Sequence, residues 1–99
     1  MDLRSRQKKN LEIIFLDGTK INVFMPSKML FEELSNFNMG SGDTAVGEMY
    51  GMAAKLMSRN AQGETFSKEK LEEMLDFEDL IEIVRAYSDF VTEVIQNPN

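Results

Sequence analysis

Apolar positions follow two different rhythms along this chain. Residues 11–16, Leu-Glu-Ile-Ile-Phe-Leu, are β-branched and aromatic, Asp17-Gly18 is a turn signal, and Ile21-Asn22-Val23-Phe24 resumes the strand character. That pattern predicts a β-hairpin. Its register is left open, because a one-residue change in loop length moves every side chain to the other face. In either register both faces carry apolar side chains. A lone hairpin is marginal in water, so helices must cover one face, and the other is free to receive a partner.

After Pro26 the period changes from two to that of a helix. Ser27 is placed to cap a helix whose Leu30, Leu34 and Phe37 fall at i, i+4 and i+7 and pack on the sheet. Residues 38–42, Asn-Met-Gly-Ser-Gly, break it, and Asp43 or Thr44 caps a second helix running to about Ser58. The apolar members of that helix are Val46, Met49, Met52, Ala53, Leu56 and Met57. Residues 60–63 form the next loop, expected to be the mobile part of the chain. Ser67 caps a short helix through Leu75, and Asp76 caps the longest, from Phe77 to about Gln96, with Pro98 beyond it. In this last helix Leu80, Val84, Tyr87, Val91 and Val94 are spaced 4, 3, 4, 3, and Phe77, Ile81, Ile83, Phe90 and Ile95 widen the stripe on both sides. Only Glu78, Glu82, Arg85, Asp89, Thr92 and Gln96 make a polar face. So wide an apolar sector is either central to the core or shared with another molecule. The expected architecture is α+β, an N-terminal β-hairpin followed by about four helices, the C-terminal one longest.

The 99 residues suit one domain, residues 11–99, behind a basic and flexible arm at residues 1–10. Such a length buries only a modest core, so surplus apolar surface calls for a partner or self-assembly. Arg4, Arg6, Lys8 and Lys9 stand against Asp2 in the first nine residues, a net of +3 within a total of −6, which leaves −9 for the other 90. That arm is either a solvated terminus or a patch that seats on an acidic surface, its own or a partner's. The acidic body argues against phosphate binding, and hence against nucleic acid as a partner. Apolar runs are too short to cross a membrane, and no secretory signal follows the basic start, so the chain reads as a cytoplasmic protein.

Chemistry is constrained by what is missing: cysteine, histidine and tryptophan are all absent from the composition. No disulfide, thiolate nucleophile or histidine-ligated metal can be built. Residues 40–45, Gly-Ser-Gly-Asp-Thr-Ala, match the spacing of a dinucleotide-binding loop, but a helix precedes them where that motif needs a strand. The acidic group Glu72, Glu73, Asp76, Glu78, Asp79 and Glu82 lacks the spacing and turn glycine of a calcium loop, and reads as solvated helix starts favoured by the helix dipole. Neither enzyme nor cofactor is expected. Gly47 and Gly51 lie four apart in a helix that contains several of the chain's eight methionines. Small residues at that spacing let helices approach closely, and unbranched methionine either fills core gaps or forms an adaptable binding surface.

As a set, residues 11–19 (Leu-Glu-Ile-Ile-Phe-Leu-Asp-Gly-Thr), residues 25–28 (Met-Pro-Ser-Lys) and a helix ending Glu32-Glu33-Leu34 resemble the start of tail assembly chaperones from long-tailed phages and prophages of Gram-positive bacteria. Residues 76–91, from Asp76 through Val91, resemble the closing helix of that family. The two matches cover about half the chain; the glycine-rich loop and methionine-rich helix between them match nothing specific. The resemblance implies a non-enzymatic role in virion assembly. Many copies would coat the tape measure protein, keep its apolar surface from aggregating, bring tail tube subunits onto it, and be absent from the finished virion. Self-association and a site in the host cytoplasm follow from the same likeness. The surface expected to bind comprises Met49, Met52 and Met57 on the second helix with Val84, Tyr87, Phe90, Val91 and Val94 on the last. A small acidic inhibitor that mimics DNA is the competing expectation, motivated by ten acidic against three basic residues in positions 64–99.

Overall fold

Two strands and four helices follow one another as β1 (Asn10–Ile14), β2 (Lys20–Phe24), α1 (Lys28–Ser35), α2 (Asp43–Met57), α3 (Lys68–Met74) and α4 (Phe77–Gln96) in the computed structural model. It describes residues 1–3, 8–36 and 43–97, by backbone alone at 43–45. Phe37, the break at 38–42, the cap at Asp43 or Thr44, Arg4, Arg6 and Pro98 lie outside what is described. The α+β architecture with a terminal hairpin and a longest last helix is as the periodicity predicts.

The hairpin closes through a three-residue loop. The Phe15 amide donates to the Thr19 carbonyl at 2.8 Å, the Gly18 amide to the Phe15 carbonyl at 2.9 Å, and the Thr19 amide to the Asp17 carboxylate at 2.9 Å. Gly18 sits at φ +90°, where a side chain would be strained. This loop sets the register that sequence left open: Leu11 faces Val23, Ile13 faces Ile21, and Glu12 faces Asn22. Leu11, Ile13, Phe15, Ile21 and Val23 therefore share the face that packs on the helices, and Ile21 and Val23 are fully buried. Asn10, Glu12, Ile14, Lys20, Asn22 and Phe24 share the other.

The loop at 60–63 is held in place rather than free. The Phe24 amide donates to the Arg59 carbonyl at 2.8 Å and the Ala61 amide to the Asn22 carbonyl at 2.9 Å, an antiparallel bridge centred on Val23 and Asn60. The Asn22 and Gln62 side chains add a bond at 2.7 Å, and the Asn22 amide donates to Gln62 at 2.9 Å. Residues 59–61 thus act as a short third strand on the outer edge of β2. Asn60 anchors the turn from below: its amide nitrogen donates to the carbonyls of Met57 at 2.7 Å and Glu64 at 2.8 Å, and its oxygen accepts from the Glu64 amide at 3.0 Å. The expectation of mobility came from composition, which does not register these long-range bonds.

The helix starts are as predicted. Ser27 accepts from the Leu30 amide, Ser67 from the Lys70 amide, and Asp76 from the Asp79 amide. Asp79 returns the bond to the Asp76 amide, completing a capping box. Beneath the hairpin, α2 and α4 supply most of the core, with Met49, Tyr50, Ala53, Ala54, Leu56 and Met57 from one and Leu80, Tyr87 and Val91 from the other. Leu71 and Phe66 close it from the side. Two buried hydroxyls are satisfied by backbone: Tyr50 donates to the Leu75 carbonyl at 2.8 Å and Tyr87 to the Phe24 carbonyl at 3.0 Å.

Candidate protein-binding surface

Four of the eight residues expected at a binding surface belong to the interior. Met49, Met57, Tyr87 and Val91 are 2–3% exposed, so none of them offers a side chain to a partner in the folded chain. Methionine at positions 49 and 57 fills gaps between α2 and its neighbours, which is the commoner use of an unbranched thioether. Helical periodicity marks an apolar side but not how deep each member sits, and the core takes the centre of the stripe first. Met52, Val84, Phe90 and Val94 are half-buried and remain at the surface. The close helix approach suggested by Gly47 and Gly51 is not found among the described residues. A Cβ at Gly47 would meet only the end of the Lys68 side chain, and one at Gly51 would meet nothing.

What does reach the surface is organised by α4 and β1, which run alongside each other in opposite directions. Phe90, Glu93, Val94 and Asn97 line a shallow groove of about 360 Å³ with Lys9 and Asn10, and the Lys9 ammonium donates to the Asn97 carbonyl at 2.8 Å. At the other end, Asp79, Glu82 and Ile83 with Leu75 border a second recess of about 150 Å³ against residues 13–16. Phe90 is held by the buried Tyr87 ring, with centroids 6.0 Å apart and planes tilted by 59°. Ile83, Phe90 and Val94 therefore form a half-buried apolar seam on the β1 side of α4. Lys9 and Glu93 lie at one end, Asp79 and Glu82 at the other.

Ile14 is 62% and Leu16 89% exposed at the turn end of β1. Neither is among the residues expected to bind. Reading them as surface requires the register, and the register depends on the loop geometry at Gly18. Met29 and Phe31 on α1 and Phe77 and Ile95 at the ends of α4 are exposed as well.

Four of the six clustered carboxylates are engaged locally. Asp76 and Asp79 close the α4 cap, Glu72 lies 3.8 Å from Lys68, and Glu82 lies 3.2 Å from Arg85. Among the described residues no three acidic groups converge to hold a metal ion, and no helix is long and apolar enough to cross a membrane. Burial pushes the Tyr87 phenol well above its ordinary value. It also raises Tyr50, helped by the negative charges of Asp76, Glu72 and Asp79, so both rings stay protonated donors at neutral pH. Searches of protein-family models, curated proteins and solved structures return no match to this chain.

Proposed function

We propose that the chain is a phage tail assembly chaperone that binds the tape measure protein and keeps it soluble during tail assembly, without catalysing a reaction. The observation that carries this reading is the apolar seam of Ile83, Phe90 and Val94 along a 20-residue helix, left half-buried while the centre of the same stripe forms the core. A seam of that shape suits an amphipathic helix laid along it, with contacts at i, i+3, i+4 and i+7 on the incoming helix. The adaptable side chain of Met52 supplies a further contact on α2. The resemblance of residues 11–19, 25–28, 32–34 and 76–91 to the family names the partner. Its tail tube subunits, the bacterial cytoplasm and absence from the mature particle belong to the same proposal.

Co-expression with the tape measure protein of the same tail gene cluster tests it. The wild-type chain is expected to hold that protein in the soluble fraction and co-purify with it. Phe90→Glu with Val94→Glu should weaken recovery by about tenfold or more, since a charge in a desolvated apolar contact costs about 2 kcal/mol or more. Met49→Leu, a change confined to the interior, should leave recovery unchanged. Full recovery with the double variant, or insolubility of the tape measure protein with either chain, removes the proposal. A retained subunit would instead be found in purified particles.

A further inference from the structure

The two edges of the hairpin are not equivalent. The Phe24 amide donates to Arg59 and the Asn22 carbonyl accepts from Ala61, so the backbone groups of Asn22 and Phe24 turn away from β1. Glu12 and Asn10 stand opposite them, so their own amides and carbonyls turn outward, and those of Ile14 follow by alternation. Among the described residues no hydrogen bond reaches these groups, and the sheet ends there. They recur about 7 Å apart along the strand, a spacing that an extended chain matches and a helix does not. Natural edges are usually blunted by proline, lysine or a bulge, and β1 contains none of these.

The groove along this edge has α4 as its other wall. Ile83, Ala86 and Phe90 follow one another there at helical spacing, half-buried at 83 and 90 and exposed at 86, with one recess toward each end. Beyond them Glu82, Asp89 and Glu93 form an exposed acidic rim. Arg85 answers Glu82 alone, and Lys9 gives its ammonium to the Asn97 carbonyl, so among the described residues Asp89 and Glu93 form no ion pair. Lys8 stands on the opposite face of the hairpin, 5.5 Å over the Phe24 ring. We propose that the β1 edge and α4 together take an extended segment of a partner protein in which β-branched apolar residues alternate with lysine or arginine. Main-chain bonds to Asn10, Glu12 and Ile14 hold such a strand, and alternation divides its side chains into two sets. One set falls on Ile83, Ala86 and Phe90, where apolar groups are required. The other continues the outer face beside Glu12, and long basic stems there reach the unpaired rim of α4. This goes beyond the proposed function and does not rest on it; a strand seated here covers Phe90, so it and a helix on the seam exclude each other.

The probe is a short, end-blocked peptide of alternating valine and lysine, labelled and titrated with the full chain by fluorescence anisotropy. It should bind about tenfold or more tightly than a peptide of alternating valine and glutamate, and hydrogen exchange should find the Asn10, Glu12 and Ile14 amides protected when it is present. N-methylation of one alternate set of peptide amides should weaken binding about tenfold or more, and of the other set hardly at all, because only one set turns toward β1. The sensitive set is that of the lysines for antiparallel strands and that of the valines for parallel ones. Glu12→Pro removes an outward amide that the hairpin does not use and should weaken binding about tenfold or more with the circular dichroism unchanged. Should that variant misfold, Ala86→Arg decides: it fills the middle of the groove from an exposed helix position and should weaken binding as much. No binding of the valine–lysine peptide, equal binding of the valine–glutamate one, or an N-methylation effect that ignores the alternation overturns the proposal. So does protection of the edge that grows with protein concentration in the absence of peptide, the sign of a second copy there. A chain that holds the tape measure protein but binds no such peptide removes this inference and leaves the proposed function standing.

Discussion

Asn60 is the residue on which the sheet and the helices depend together. It is buried, it makes three hydrogen bonds to backbone, and it is the residue bridged to Val23. Asn60→Ala leaves two carbonyls and an amide without partners, and should destabilise the fold by about 2–4 kcal/mol, read from urea denaturation. Asn60→Asp should be at least as damaging, because it sets an acceptor against the Met57 and Glu64 carbonyls. Nothing in the sequence distinguishes this asparagine from those at 36 or 97; its importance comes from partners outside its own segment. The tyrosines make a separate prediction. Burial raises both phenols, so the folded state favours the neutral form, and that contribution is intact below the unfolded value of about 10. Stability should fall as pH rises above about 10, as the unfolded state releases phenolic protons before the folded state does. Tyr87→Phe should flatten that decline while losing about 1 kcal/mol at neutral pH, with its bond to the Phe24 carbonyl gone. Denaturation curves measured across the alkaline range check both.

At the scale of elements, what was legible in the sequence was local. Ser27, Ser67 and Asp76 cap the helices they were expected to cap, and α4 spans the predicted residues, because a capping side chain and its amide lie within one turn of each other. Asp76→Ala should lower stability by about 1 kcal/mol by leaving the Asp79 amide unpaired at the start of α4. Depth was not legible. Leu80, Tyr87 and Val91 sit on the same apolar side as Val84 and Val94, yet the first three are interior and the last two are not. The difference is which neighbour lies over each turn of the helix, and that is set by α2 and the hairpin. Leu80→Ala should cost about 2–5 kcal/mol through the cavity it opens, whereas Thr92→Ala on the exposed face should change stability by less than about 0.5 kcal/mol. Thermal or urea unfolding of the two variants side by side tests the assignment of the faces.

For the whole molecule, composition described the balance of charge but not its geometry. The separation of a basic start from an acidic body is visible in the sequence; that β1 and α4 set Lys9 with Glu93 at one recess and Asp79 with Glu82 at another is a product of the fold. The bridge between Val23 and Asn60 also has a kinetic meaning. A hairpin forms locally in about 1–10 μs, but its second edge stays open until α2 and the turn at 59–63 have been made, since the bonding partners are 37 positions apart along the chain. Substitutions in the Gly18 turn should therefore slow folding, whereas loss of the Asn60 contacts should chiefly hasten unfolding. A chain released before that closure exposes strand backbone on both sides of the hairpin, and its window for mispairing along β2 ends when residue 60 arrives.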